Sequence, residues 1–422
     1  MTGAVLCCLA ACFHAAAPNV VLLTIDTLRA DRLGCYGYAL PTTPHLDAFA
    51  ATGMLFEDCE CEVPITAPSL SAMLTSRCPR ETGLTRNGLG LPEAVPTVAE
   101  AFRAAGYHTF CVQSNWTLKA KLAKLDRGFD VYEDDFRKRR WGFLLSERSG
   151  EEVTEVALRL LEERPKDKPY FAWIHYSDPH APYKMHQGFN PCGKGGWNIG
   201  KEERIQRKYD SEVAYADAEA GKLLAALPPD TSVLFVADHG ESLFEHDYLG
   251  HGRRLYRHET RVPLIVRMPG LEPSRSALPV RGLDIAPTLL GMAGLPKGAG
   301  MRGSDLVHDA IPPDRVRVIE TYGGAVPKLP GAKALLSSHG PLRQAALQGP
   351  WKLIVDDGKR ELFHENDDPG ELENRAAAEP ALCGTLNGLI ELFNQKIPRK
   401  SSEERVLEKE DAQALDALGY LN

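Results

Sequence analysis

The sequence predicts an α/β chain: a mostly parallel sheet flanked by helices, followed by a smaller C-terminal α+β subdomain. Three observations lead there. Short, nearly continuous apolar runs recur along the chain, as expected of strands buried on both faces. Helix-period segments lie between them, and strands alternating with helices form a parallel sheet covered by helices. After Gly303 the pattern changes to two short strand-like runs around a tight turn.

The chain begins with Met1 to Ala17, apolar and rich in small residues. Ala15-Ala16-Ala17 fits a signal-peptidase site, and Leu9-Ala10-Ala11-Cys12 fits a lipoprotein box that would place a lipid anchor on Cys12. The expectation is export, to the periplasm or beyond. The alternative is a wrongly chosen start and a cytoplasmic protein, because neither Lys nor Arg precedes the apolar run. The first strand is Asn19-Val-Val-Leu-Leu-Thr-Ile25, ending at Asp26. Thr66-Ala-Pro-Ser69 opens a helical run, with Pro68 and Ser69 suited to a first turn. A helix over Val95–Ala105 is stopped by Gly106, and another over Glu151–Glu163 by Pro165. Tyr170-Phe-Ala-Trp-Ile-His175 is a strand that ends near Asp178-Pro179-His180. A helix over Tyr209–Leu227 is stopped by Pro228-Pro229. Ser232 to Ala237 is a strand that ends in Asp238-His239-Gly240-Glu241. Val262 to Val266 is a strand with no polar tip. Trp351 to Val355 and Lys359 to Phe363 flank Asp356-Asp357-Gly358, which reads as a hairpin. Residues 371–422 read as helical and charged. Two long loops are expected, 181–201 and 326–340. The division expected is an export segment 1–17, a catalytic domain 18–303 and a C-terminal subdomain 304–422.

Composition removes several classes of function. Of 422 residues, 49 are Lys or Arg and 57 are Asp or Glu, a net charge of −8. An overall negative chain is a poor partner for nucleic acid or an anionic membrane. After the N-terminal segment there is no apolar run of about 20 residues, so no membrane span is expected. The ten cysteines include no CxxC pair, which excludes a zinc module or a small disulfide scaffold.

The chemistry is concentrated where predicted strands end. Ligands of parallel sheets bind at the carboxyl ends of strands, and Asp26 and Asp238-His239 stand there. Two carboxylates and an imidazole are costly to cluster unless a cation neutralises them. Thr66 falls near a helix N-terminus, where the macrodipole favours an anion. A metal there could ionise its hydroxyl for attack on an electrophile. Taken alone, Thr66 reads better as a helix cap.

Taken together and in order, these segments resemble the sulfatase branch of the alkaline phosphatase superfamily. Asn19 to Tyr38 resembles the opening strand and metal-ligand turn. Thr66 to Arg77 (TAPSLSAMLTSR) resembles the signature segment with its nucleophile, and Ala105 to Trp116 the strand that follows. Tyr176 to Pro182 resembles a substrate-binding histidine loop. Ala237 to Gly252 resembles the second metal segment. Val262 to Gly270, Leu283 to Leu290 and the Leu418-Gly-Tyr-Leu421 ending match later segments. The resemblance implies an alkaline-phosphatase-like fold and an ester hydrolase.

It also exposes departures. Family sulfatases carry Cys or Ser at the nucleophile and oxidise it to formylglycine; Thr66 cannot be so converted. Leu70 replaces an Arg, Thr27 a second Asp, Asn115 and Thr117 a Lys and a His, His251 a second Lys, and His239 an Asn. A formylglycine hydrate expels sulfate by collapsing to an aldehyde, an exit a sulfated Thr lacks. A phosphothreonine can be opened by in-line attack of water. The resemblance therefore implies one divalent metal on Asp26, Thr66, Asp238 and His239, with Thr66 as nucleophile. His180 and Asn115 would hold substrate oxygens, and His251 would protonate the leaving group. His246 and Asp247 are alternatives to His251, and Arg77 is expected to serve structure by tying the signature helix to the sheet. The imidazole at 239 favours Mn²⁺ or Zn²⁺, with Mg²⁺ or Ca²⁺ possible. The expected partner is an anionic ester: a phosphate or phosphonate ester first, a sulfate ester second. A non-catalytic anion binder is the third reading, and residues 181–201 and 326–340 are expected to help set the substrate.

Overall fold

The computed structural model describes residues 17–135, 139–140, 143–144, 147–193, 199–323, 341–400, 411 and 413. The first sixteen residues with Cys12, the loop 326–340 and the Leu418–Leu421 ending therefore lie outside the described residues.

The centre is an eight-stranded sheet. In spatial order its strands are Ser274–Arg281, Met54–Glu60, Leu264–Arg267, Ser232–Ala237, Val20–Ile25, Tyr170–Tyr176, His108–Val112 and Val131–Glu133. Only Leu264–Arg267 runs against its neighbours. The three central strands are buried at every residue, which is why they read as continuous apolar runs rather than alternating ones. Helices cover both faces. Gly150–Glu163 is capped by Ser149, whose hydroxyl accepts from the Glu152 N–H. Val98–Ala104 begins with a capping box on Thr97 and Glu100, the reciprocal arrangement that satisfies two orphan donors.

Register places the site. Ile25 pairs with both Ala237 and Tyr176, so the next residues on the three strands meet at one edge. These are Asp26, Asp238 and the turn leading to His180.

The C-terminal sheet is an antiparallel meander of Arg317–Thr321, Arg343–Gln348, Trp351–Asp356 and Lys359–His364. Its hairpin turn has positive φ at Asp357 (43°) and Gly358 (81°), the combination that matches strand twist. One face packs on helix Pro380–Lys396 through Leu353, Leu362, Leu386 and Ile390. The other packs on Leu255 and Tyr256 through Ile354 and Phe363.

Two readings shift in detail. The helix expected from Tyr209 begins at Lys201 and runs to Ala226. Its first turns hold a single apolar residue, Ile205, and a Glu203–Arg207 pair at 2.6 Å, so no apolar period marks them. Arg77 bonds Glu81 and the Ala299 carbonyl; it ties the signature helix to a loop and not to the sheet. The seven cysteines among the described residues are all free thiols. No helix among those residues is long and apolar enough to cross a membrane.

Candidate active site

Asp26 and Asp238 extend from adjacent strand tips into a fully buried space. Asp238 Oδ1 accepts the backbone N–H groups of Thr27 and His239, at 3.1 and 2.8 Å. Thr27 takes a left-handed φ of 54°, a strained conformation for a β-branched residue that turns its N–H toward Asp238. Asp26 Oδ2 accepts from Asn115 Nδ2 at 2.7 Å. The remaining oxygens, Asp26 Oδ1 and Asp238 Oδ2, are buried without hydrogen-bond partners.

Both orphaned oxygens face one nitrogen. His239 Nε2 lies 3.7 Å from Asp26 Oδ1 and 3.5 Å from Asp238 Oδ2. The other ring nitrogen, Nδ1, is 2.9 Å from the Gly240 carbonyl. A carbonyl can only accept, so Nδ1 carries the proton and Nε2 presents its lone pair to the two carboxylates. Three lone-pair atoms aimed at one another repel unless a cation lies among them. Thr66 Oγ1 completes the group at 3.5 Å from His239 Nε2.

The electrostatics agree. Burial, and then the mutual charge of the pair, lift Asp26 to about 7. Burial likewise lifts Asp238 to about 7, against the backbone donors that favour its charged form. Burial and the charge of His251 hold His239 down at about 3, so it is neutral and able to ligate. The donor set fits one divalent cation: three oxygens, one imidazole nitrogen, and two carboxylates otherwise too costly to ionise.

Thr66 is the first residue of the signature helix Thr66–Thr75. Ile65 before it is extended and offers the helix no side-chain cap. Thr66 is thus not a cap; its hydroxyl is turned to the carboxylate edge. Ser69 Oγ, one turn later, donates to the Asp238 carbonyl at 2.7 Å and pins the helix to the strand tip. The helix terminus offers fewer donors than its position suggests. The Ala67 N–H is taken by Asn87 Oδ1 at 2.9 Å, and Pro68 has none. Leu70 is fully buried in the main core.

The other expected residues take distinct places. His180 Nδ1 pairs with Glu147 Oε1 at 2.7 Å. Burial alone would lower this imidazole, but Glu147 outweighs it and raises it to about 10, so it is a cation at neutral pH. His251 lies beside the site, 4.4 Å from His239 and 5.4 Å from His180 between ring centres. Its Nδ1 is 3.1 Å from Glu241 Oε1. Asn115 holds Asp26 with one amide hydrogen and fixes its own oxygen on the Thr117 N–H and hydroxyl. His246 stacks on Tyr256 at 3.6 Å and meets the Gly370 carbonyl, away from this group. Glu147, Glu241 and His175 went unassigned from sequence. His175 is buried at the end of its strand, with Nε2 3.9 Å from Asp26 Oδ2. It was read as strand only; Glu241, in the Asp-His-Gly-Glu turn, carried the one local signal.

Comparison with known proteins follows this geometry. The family model described as Sulfatase matches residues 18–295. An ulvan-active sulfatase of Formosa agariphila is 28% identical over 364 residues, covering 74% of this chain and 70% of that protein. A crystal structure of a putative sulfatase from Bacteroides thetaiotaomicron superposes with a TM-score of 0.73 at 19% identity, covering 92% and 95% of the two chains. A phosphonate monoester hydrolase of Agrobacterium radiobacter superposes with a TM-score of 0.71 at 20% identity, covering 90% and 96%.

Proposed function

Because the chain belongs to the sulfatase family, and so to the ester hydrolases of the alkaline-phosphatase-like fold, we propose that it cleaves phosphate or phosphonate esters with Thr66 as nucleophile. The supporting observation is the buried Thr66 hydroxyl, 3.5 Å from His239 Nε2 in a group with Asp26 and Asp238. These four residues would hold one divalent cation, Mn²⁺ or Zn²⁺ by donor type. Such a cation supplies Lewis-acid stabilisation of oxygen charge and a lowered hydroxyl pKa.

The chain's own residues do the rest. Thr66 Oγ, its proton given up to solvent, attacks phosphorus in line, and the bond from phosphorus to the departing ester oxygen breaks. His180, held cationic by Glu147, takes one non-bridging oxygen. Asn115 offers its second amide hydrogen to another, while its first keeps Asp26 oriented. His251 gives a proton to the departing ester oxygen. Water then opens the phosphothreonine in line and restores the hydroxyl. An imidazolium and an amide, in place of the family's Arg and Lys groups, suit a singly charged ester (a diester, a phosphonate monoester or a sulfate monoester) better than a dianion. Phosphonate monoester hydrolysis occurs on this fold in the Agrobacterium protein.

A second reading is a sulfuric ester hydrolase working without formylglycine, favoured by family membership and by the ulvan-active relative. Its difficulty is the missing aldehyde exit. The deciding experiment is turnover of nitrophenyl phosphate, phosphodiester, phosphonate and sulfate esters with Mn²⁺, Zn²⁺, Mg²⁺ or Ca²⁺. Phosphoester or phosphonate cleavage is expected to dominate. Sulfate cleavage outpacing every phosphorus ester would reverse the assignment.

A further inference from the structure

We propose that Asp178, His186 and Glu212 form a second divalent-cation site, which ties the loop bearing His180 to the long helix Lys201–Ala226. Their ligand atoms lie within 4.8 Å of one another, as do those of Asp26, Asp238 and His239. The two groups share no residue, and this site does not depend on the proposed reaction.

Proximity alone would not suffice, since acidic groups gather at many surfaces. The independent observation is Asp178 Oδ2, which is shut off from water and has no hydrogen-bond partner. Such an oxygen is costly unless something positive meets it. The negative neighbours Glu212 and Glu147 add to burial in holding Asp178 up at about 7. The two partners are already in place. Glu212 Oε2 is 2.6 Å from His186 Nε2, and Oε1 accepts the Lys184 N–H at 2.6 Å. The His186 ring lies flat on Tyr215, with centres 4.1 Å apart and planes 6° apart. The His186 N–H donates to Ser211 Oγ at 2.9 Å. The ring is thus locked with its Nε2 edge toward the carboxylates, the preorganisation a ligand needs.

Charge balance also fits. Two carboxylates and a neutral imidazole sum to −2, which a divalent cation cancels. Binding would replace the proton shared by His186 Nε2 and Glu212 Oε2 and release it to solvent. A donor set of two oxygens and one nitrogen selects Zn²⁺ or Mn²⁺ over Ca²⁺, with water filling the remaining positions. The consequence is local. The loop after strand Tyr170–Tyr176 carries both Asp178 and His180, so a cation here would brace the expected substrate-binding histidine from behind.

The test is zinc content after equilibrium dialysis of the full-length protein against Zn²⁺. In an Asp26→Asn/Asp238→Asn background, one zinc per chain is expected to remain. Adding Asp178→Asn or His186→Gln should remove it. The same additions in the wild-type background should each remove one zinc and leave the other. Zinc content unchanged by both additions, or no zinc in the Asp26→Asn/Asp238→Asn background, would overturn the site. Asp178→Asn keeps the side-chain volume and relieves a buried charge, so it decides the matter if His186→Gln fails to fold. Melting in chelator reports folding: Asp178→Asn should melt with its parent there, and lose the rise in Tm that Zn²⁺ gives the parent. An equal zinc-induced rise in both would count against the site.

Discussion

At the residue scale, the proposed function rests on a hydroxyl where family sulfatases carry an oxidisable thiol. If Thr66 is the nucleophile, Thr66→Ala should lower kcat by about 10³-fold or more, while Thr66→Ser retains measurable turnover. Steady-state kinetics on the best phosphorus ester would check this, and full activity in Thr66→Ala would sink the assignment. Glu147 gives a subtler prediction. It outweighs burial and holds His180 protonated to about 10, so substrate affinity should fall only as pH rises toward that value. Glu147→Gln removes the partner, and burial then lowers the imidazole. The alkaline limb of the pH profile should move toward neutrality, with KM near pH 8 raised roughly tenfold. A profile unmoved by Glu147→Gln would refute the role. His175 bears on stability instead. Burial, aided by the cationic His180, lowers it to about 3 from 6.5. The unfolded chain therefore binds a proton below pH 6.5 that the folded chain refuses. Stability is lost as pH falls from 6.5 toward 3, and urea midpoints of His175→Gln should depend less on pH across that window. Asp26, Thr66, Asp238 and His239 were legible because each stands at the end of a pattern. Glu147 was not, because helix Gly150–Glu163 and strand Tyr170–Tyr176 separate it from His180 in sequence and leave no local spacing to read.

At the element scale, the site depends on how closely two segments pass. Gly240 follows His239, its N–H donates to the Glu259 carbonyl at 2.8 Å, and a Cβ there would lie 2.1 Å from the His258 carbonyl oxygen. That neighbour is backbone and cannot turn aside. Gly240→Ala should therefore cost about 1–3 kcal/mol and move His239, whose proton is fixed by the Gly240 carbonyl. Both a lower Tm and weakened zinc affinity are expected; loss of stability with unchanged affinity would show that the turn shifts without its ligand. The same segment marks where sequence reading stops. Strand runs and helix stops follow local periodicity, so the elements around the site could be written down in order. The approach of residues 239–241 to 258–259 is a contact between a turn and the short helix Arg257–Thr260, and glycine alone does not announce it.

At the scale of the whole molecule, the C-terminal sheet is fastened to the main one through arginine–carboxylate pairs. Arg315 grips Asp284 with two bonds of 2.7 Å, and Arg80 meets Glu320 at 3.2 Å. Arg317 grips Asp58 with bonds of 2.8 and 2.7 Å. The sequence marked a change of pattern after Gly303 but could not show this seam, because even its nearest partners, Arg315 and Asp284, are 31 residues apart and Arg317 and Asp58 are 259 apart. The Arg317–Asp58 pair makes a directional prediction, because its two ends differ in exposure. The Arg317 side chain is 1% exposed and that of Asp58 is 22% exposed. Removing the Asp58 carboxylate leaves a buried guanidinium with only the Asp58 and Val280 carbonyls for partners among the described residues, which should cost about 3 kcal/mol. Removing Arg317 leaves a carboxylate that water can reach, so the cost should be smaller. The double replacement should cost less than the two singles together, since neither charge is then left alone. Urea unfolding of Asp58→Ala, Arg317→Ala and the double variant would measure all three. If Arg317→Ala proved the more damaging single change, burial of the arginine would not be what makes this seam costly to break.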